Sequence, residues 1–471
     1  CIITFALKLK FKKMKIFYTL IRFQKFAVIM LALIVHINSN YLSAQYIVND
    51  IIYSTNSVTN DGKVSGYETQ GGNWSIWLPD SANAIVNIGG VAPGLGVGGQ
   101  ARFSENGNFI CGTSMGNGGA EISLYDRSLD TWTALGSLGF SVDSTKGGGY
   151  GISGDGNVVV GNSWADTTGG LAYTHAVAHN NIEGLMDLGT LFFGRSTRAN
   201  ATNYDGSVVV GWQDFNGPWK SAVWRKNPAG GYFPNEYILI DTAGNPNDEY
   251  NQIGECSAVS ADGNWIGGYG DFANNNEPWI WSRDSGVINL GTFPGLGNGY
   301  VSGISADGSI VVGWFDGFFF GDPRTPFIWT HENGLQEFNS YIRNELGDST
   351  YTHQVYTAEC ISPNGLYVAG YGVDTSTFLY FAYRVTLNGT TGISSTTSET
   401  IEMYPNPTSG FTTIENKGQA TLTVSDIRGR VVIKTEINGK YSLDLTEYNS
   451  GIYFVTILSN DKMRTSKIIK N

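Results

Sequence analysis

Short apolar runs, each opened by an Asp-Gly or Asn-Gly pair and closed by a glycine, recur along most of this chain. The clearest are "GISGDGNVVVG" at 151–161 and "GISADGSIVVG" at 303–313. "NATNYDGSVVVG" at 200–211 and "AVSADGNWIGG" at 258–268 are close relatives. "SVTNDGKVSG" at 57–66, "RFSENGNFICG" at 102–112 and "CISPNGLYVAG" at 360–370 are looser ones. The seven turn glycines are Gly62, Gly107, Gly156, Gly206, Gly263, Gly308 and Gly365, spaced 45 to 57 residues apart. Such turns need positive φ, which Gly and Asn tolerate, and they join antiparallel strands tightly. The β-branched run that follows fits a strand buried on both faces. An aromatic strand comes next, as in "SIW" at 75–77, "AVW" at 222–224, "WIW" at 279–281, "FIW" at 327–329 and "FAYR" at 381–384. Most units end in a fourth segment, such as "NIGG" at 87–90 or "MDLGTL" at 186–191.

Four strands per unit of about 50 residues, in seven copies, predict an all-β, seven-bladed β-propeller over 45–388. An open solenoid or a pair of sandwiches is the alternative architecture. The last unit lacks a fourth strand after Val385, and "QYIVN" at 45–49 offers a spare one. That strand is expected to complete the last blade. One segment breaks the β pattern: "EFNSYIRNELG" at 337–347 sets Phe338, Tyr341, Ile342 and Leu346 on one helical face, predicting a short helix over the sixth blade.

These units resemble the HAF family of extracellular repeats. Its His-Ala-Phe element is degenerate here, with "HAVA" at 175–178 and "PFIW" at 326–329 in its place. The resemblance implies a propeller-like fold outside the cytoplasm and no established activity.

Beyond 388 the pattern changes. Residues 389–400 (GTTGISSTTSET) read as a flexible linker. Alternating runs then predict a small antiparallel, immunoglobulin-like β-sandwich over 401–471. "MYPNPTSG" at 403–410, "TVSDIRGRVV" at 423–432, "LDLTEYNSGIYFVTI" at 443–457 and a basic end at 462–471 follow in order. This region resembles the type A sorting domain of type IX secretion in Bacteroidota. The residues carrying the likeness are Pro405, Asn406, Pro407, Gly410, Asp426, Gly429, Arg430, Gly451, Tyr453 and the terminal lysines. The resemblance implies passage across the outer membrane by the type IX machinery, then surface attachment or release.

Charge and the first residues fit export. Residues 1–44 hold seven Lys/Arg and no Asp/Glu. From Met14, a basic stretch leads into the 12-residue apolar run Phe26–Ile37, too short for a membrane-spanning helix of about 20. Residues 14–44 are therefore expected to be a signal peptide cut by signal peptidase after Ala44, and residues 1–13 to lie upstream of the translated start. An uncleaved anchor is the rival. Residues 45–400 carry a net charge of −21, which repels phosphate backbones and argues against nucleic acid. Cys111, Cys256 and Cys360 form no metal-type spacing. They are expected to be buried thiols, with a Cys256–Cys360 disulfide as the alternative.

No catalytic constellation emerges. His175 and His179 share a strand face with no Cys or carboxylate at ligand spacing, so no metal site is expected. Asp61, Asp155, Asp205, Asp262 and Asp307 each precede a turn glycine and read as caps of their own turns. No cofactor is expected. The polar insertion Asp241–Glu255 carries oxygen ligands that could take Ca2+, but it departs from EF-hand order and reads first as a solvated loop. A ligand site is placed on one propeller face. There the residues after each closing glycine, including Tyr67, Trp212, Trp314 and Tyr371, meet Arg195 and Tyr300 from the inter-blade loops. Aromatic and polar groups in that arrangement suit a glycan or peptide. Secreted binding, adhesion or structure is the leading function. A carbohydrate-active enzyme, a hydrolase or lyase with acids such as Glu255 or Asp316 in the funnel, is the alternative.

Overall fold

The computed structural model describes residues 46–387 and 401–471, except 94–97, 117, 143, 167–171, 215–218, 234–253, 273–274, 318–322, 347–352, 375, 378, 427–430 and 460–461. The expected signal peptide and linker lie outside the described residues. The chain divides into two compact units, 1–388 and 389–471.

The first unit is a seven-bladed β-propeller. Blade 1 shows the plan, with Ser54–Val58, Val64–Tyr67, Trp74–Leu78 and Ala84–Gly89 pairing antiparallel in that order. Blades 2, 3, 5 and 6 repeat it, and blade 4 shows three strands among the described residues. In blade 7, Tyr46–Asn49 pairs antiparallel with Tyr380–Thr386, Tyr46 opposite Val385 and Asn49 opposite Ala382. The first strand thus completes the last blade, as its sequence leads one to expect.

The cores lie between blades rather than within them, because each blade buries both faces. Seven apolar clusters each join consecutive blades. Val160 and Ala178 meet Val209 and Trp224 between blades 3 and 4. Ala258 and Ile280 meet Val311 and Phe327 between blades 5 and 6. Val58, Val64 and Trp77 of blade 1 meet Ala369 and Ala382 of blade 7, which closes the ring. Arg384, 1% exposed, locks that seam. Its guanidinium donates to Gly62 O at 3.0 Å and to both Asp80 oxygens at 2.6 and 2.8 Å, and lies 4.7 Å from the Tyr367 ring. The helix Phe338–Asn344 is capped by Glu337 and buries Phe338, Tyr341 and Ile342 in the seam of blades 6 and 7, together with Leu346.

The turn acids behave as their position predicts. Ser153, Ser260 and Ser305 donate to Asp155, Asp262 and Asp307 at 2.6 Å, and each aspartate accepts the backbone N–H two residues on. The serine oxygens in turn accept the N–H five residues on. Cys111, Cys256 and Cys360 are free, buried thiols, with Cys256 and Cys360 in different seams. Burial pushes the Cys111 thiol up to about 12.

The second unit is a five-stranded antiparallel arrangement. The long strand Phe411–Asp426 pairs with Val431–Asp444 over most of its length, with a register break between Glu415 and Gln419. On its other edge it pairs first with Glu402–Tyr404 and then with Gly451–Ser459. Both halves feed one core, with Ile414 and Leu443 from one side of the break and Leu422, Val424, Val455 and Ile457 from the other. That gives a small sandwich-like domain.

Candidate functional site

The inner strand of each blade carries the site. In five blades this strand has a β-bulge, where the ladder register skips one residue: Asn56, Tyr150, Asn200, Ser257 and Ser302. Each lies six residues before its turn glycine. A bulge admits an extra residue and re-aims its side chain. Here all five reach a central cavity of about 240 Å³ at the end of the ring opposite the turns. Small polar bulge residues also stitch to the next blade. Asn200 Nδ2 donates to Cys256 O at 2.7 Å, and Ser257 Oγ to Val301 O at 2.5 Å. Ser302 Oγ donates to Ala358 O. In blade 7 the same position holds Glu359, which lines the cavity too.

Charge gathers at this cavity. Blade 2 brings Gln100 and Arg102, blade 4 Arg198, and blade 5 Glu255. Burial pushes the Glu359 carboxyl up to about 7, although nearby Arg324 and Arg102 favour its ionised form. Burial also raises the Glu255 carboxyl, against the pull of Arg198. Glu255 Oε1 lies 3.8 Å from Arg198 Nη2, and its buried Oε2 has no hydrogen-bond partner. Glu255 is thus no part of a solvated loop. The rest of the insertion read as a possible Ca2+ ligand set, 241–253, lies outside the described residues. Among the described residues no group of three His, Cys, Asp or Glu is placed to hold a metal.

Rings line the same space: Tyr150, Trp219, Tyr269, Tyr300 and Trp314. Trp314 stacks on Tyr300 at 5.6 Å. Trp212 stacks flat on Trp219 at 4.4 Å and lies 5.3 Å from the Arg198 guanidinium, so it backs the wall rather than forming it. Tyr371 OH accepts Arg324 Nη1 at 2.7 Å. Arg195 pairs with Asp214 at 3.6 Å, away from the cavity. Tyr67 is buried between Tyr53 and Trp74 in the first seam, where its ring contributes packing. Of the six residues singled out in the sequence, the structure therefore brings Tyr300 and Trp314 to the cavity. Asp316 accepts from Arg324 Nε at 3.1 Å and Tyr300 OH at 3.0 Å and does not line it. The sequence reading missed Arg102, Asn200 and Glu359 as members. Their signal is position, counted back from the turn glycine.

In the second unit, Asn406 Nδ2 donates to Lys467 O at 2.8 Å and its Oδ1 accepts Ile469 N–H at 3.0 Å, tying the Pro405–Pro407 segment to the last strand. Thr412 Oγ1 donates to Pro405 O at 2.9 Å. A Cβ on Gly410 would meet Thr446 Cγ2 at 2.7 Å. Tyr453 OH donates to Asn449 O at 2.8 Å, Asp426 pairs in register with Tyr453, and Gly451 starts the strand that carries Tyr453. Lys470 Nζ donates to Thr446 O at 3.2 Å. Gly429 and Arg430 lie outside the described residues.

Residues 402–471 match the family described as the secretion system C-terminal sorting domain. The chain therefore carries a type IX sorting tail, which marks proteins exported to the cell surface or beyond and implies interaction with that secretion machinery. Among the described residues no helix is long and apolar enough to cross a membrane. No curated protein matches the chain. Among solved structures, oligogalacturonate lyase from Vibrio parahaemolyticus is 13% identical over 74% of this chain and 92% of its own, with a TM-score of 0.45. The β-propeller domain of the trilobed protease from Pyrococcus furiosus is 13% identical over 73% and 99%, with a TM-score of 0.42. TolB from Acinetobacter baumannii is 15% identical over 61% of this chain, which spans only 64% of its length, with a TM-score of 0.38. Likenesses this distant lend nothing to a functional reading of the chain.

Proposed function

We propose that this chain is a Bacteroidota surface or released protein, built of HAF-type repeats, that binds a glycan in the central cavity of its propeller. It is made with a cleavable signal peptide over 14–44 and leaves the cell through its sorting domain. One observation carries the binding reading. All seven blades contribute to a single cavity in which five aromatic rings face amide, hydroxyl, guanidinium and carboxyl groups. Rings stack on the C–H faces of a sugar while the polar groups fix its hydroxyls. At about 240 Å³ the space suits one or two sugar units rather than a long chain. Binding of the purified propeller to a glycan array tests this, with Trp314→Ala expected to weaken any hit at least tenfold. No hit on a broad array, or hits indifferent to Trp314, would reject it.

Catalysis is the second reading, favoured by one feature: Glu255 and Glu359 share the cavity, and burial raises both carboxyls. A carboxyl that keeps its proton near neutrality can act as a general acid on a glycosidic oxygen, with a second carboxyl as base. New reducing ends released from a bound glycan, abolished in Glu359→Gln while binding persists, would select this reading.

A further inference from the structure

Two arginines face this cavity in a protein whose repeat region is strongly acidic, and their setting is the same. Arg102 donates Nε to Gln100 Oε1 at 2.9 Å, and Arg198 donates Nε to Asn200 Oδ1 at 2.7 Å. In each case the amide of a residue two positions away along the chain fixes the guanidinium plane. Among the described residues the terminal N–H groups make no hydrogen bond. Arg198 is further held against the Tyr150 ring, at 4.6 Å. Its nearest carboxylate, Glu255, stays at 3.8 Å, beyond hydrogen-bond reach, and no salt bridge to Arg102 is among those the described residues form. The two guanidiniums also feel each other. Burial lowers the Arg102 pKa, the Cys111, Cys360 and Glu359 groups raise it, and the like charge of Arg198 lowers it by a smaller amount. Two like charges at one cavity without full partners, one of them deeply buried, are costly to keep.

We propose that the cavity takes an acidic glycan, whose carboxylate or sulfate sits between the forked N–H groups of Arg102 and Arg198. This rests on the glycan reading above and narrows it. An anion there relieves the repulsion between the guanidiniums and accepts from both in the paired geometry that carboxylates and sulfates share. Burial favours the neutral forms of Glu255 and Glu359, so the acids that share the cavity oppose such a ligand less than two carboxylates would. The sugar ring then lies beside Tyr300 and Trp314.

Matched methyl glycosides test it. The gluco, galacto and manno series would each be measured by calorimetry as the neutral sugar, its 6-carboxylate and its 6-sulfate. The expected result is at least tenfold tighter binding of one anionic form than of its neutral partner. The better of the two anions identifies the source of the charge. Arg198→Lys keeps the charge but loses the fork, and should cut that preference at least fivefold with the melting temperature preserved. Should that variant not fold, Arg102→Lys carries the same comparison. Equal binding of neutral and acidic sugars overturns the inference and leaves the glycan reading standing. An acid preference untouched by both lysine variants overturns the assigned seat. Binding of no sugar in any series defeats the inference and the glycan reading together.

Discussion

The two ends of the seven inner strands follow opposite rules. At the turn end the same chemistry is written seven times: a hydroxyl or amide, then Asp or Asn, then Gly, as in Ser305, Asp307 and Gly308. Backbone bonds then join turn to turn around much of the ring. Glu105 N–H donates to Gly154 O, Tyr204 N–H to Ala261 O, Ala261 N–H to Ala306 O and Ala306 N–H to Pro363 O, all at 2.8–2.9 Å. At the opposite end one structural position, a bulge in five blades, holds Asn56, Tyr150, Asn200, Ser257 and Ser302 there and Glu359 in blade 7. Repetition therefore marks what every blade needs in order to fold. Variation at a repeated position is what the proposed site draws on.

The largest expected effect lies where the ring is joined. Removing 46–50 strips four strand pairings and the packing of Tyr46 and Val48 from blade 7. The melting temperature of the propeller should fall by on the order of 10 °C. An unchanged calorimetric melt would mean that the ring does not depend on this strand.

Glu359 sharpens the contrast from the other side, since a residue serving ligand rather than fold should burden the fold. Its folded-state pKa of about 7 lies above the ordinary value of 4.5. The folded protein therefore holds this proton more tightly than the unfolded chain. Stability from this group is fully present below about pH 4.5 and is lost as pH rises through about 7, by up to about 3 kcal/mol. Glu359→Gln should flatten that part of the urea-stability profile between pH 5 and 8 and raise stability at pH 8. A profile that keeps its slope would show that other groups set it.

The smallest effect belongs to a single turn. Asp307→Ala removes the acceptor for Ser305 Oγ and Ser309 N–H and should cost about 1 kcal/mol in chemical denaturation, with ligand affinity unchanged. An affinity change there would break the division between the two ends.

Much of the fold is legible in the residues, because the turn glycines mark each unit and the unpaired first segment marks the closure. The helix over blade 6 is legible as well, since Phe338, Tyr341, Ile342 and Leu346 keep a helical spacing in a β chain. The cavity is less so. Strand alternation assigns side chains to two faces, and a bulge shifts that parity by one residue partway along. Asn200 and Ser302 therefore point where no simple alternation sends them. Arg102 and Glu359 sit on inner strands only two residues long, Arg102–Phe103 and Cys360–Ile361 or just outside them, too short to show any periodicity. Glu255, read both as part of a polar loop and as a funnel acid, lines the cavity, whereas Asp316 does not. Tyr67 and Trp212 misled because an aromatic after a closing glycine serves the blade wall as readily as the cavity.

The contact between Tyr46 and Val385 spans nearly the whole repeat region. A chain emerging vectorially, from a ribosome or through a membrane pore, must run as an unsealed strip of blades until its last blade has appeared. Its earliest segment waits longest for its partner. Such a topology makes completion a late and slow event.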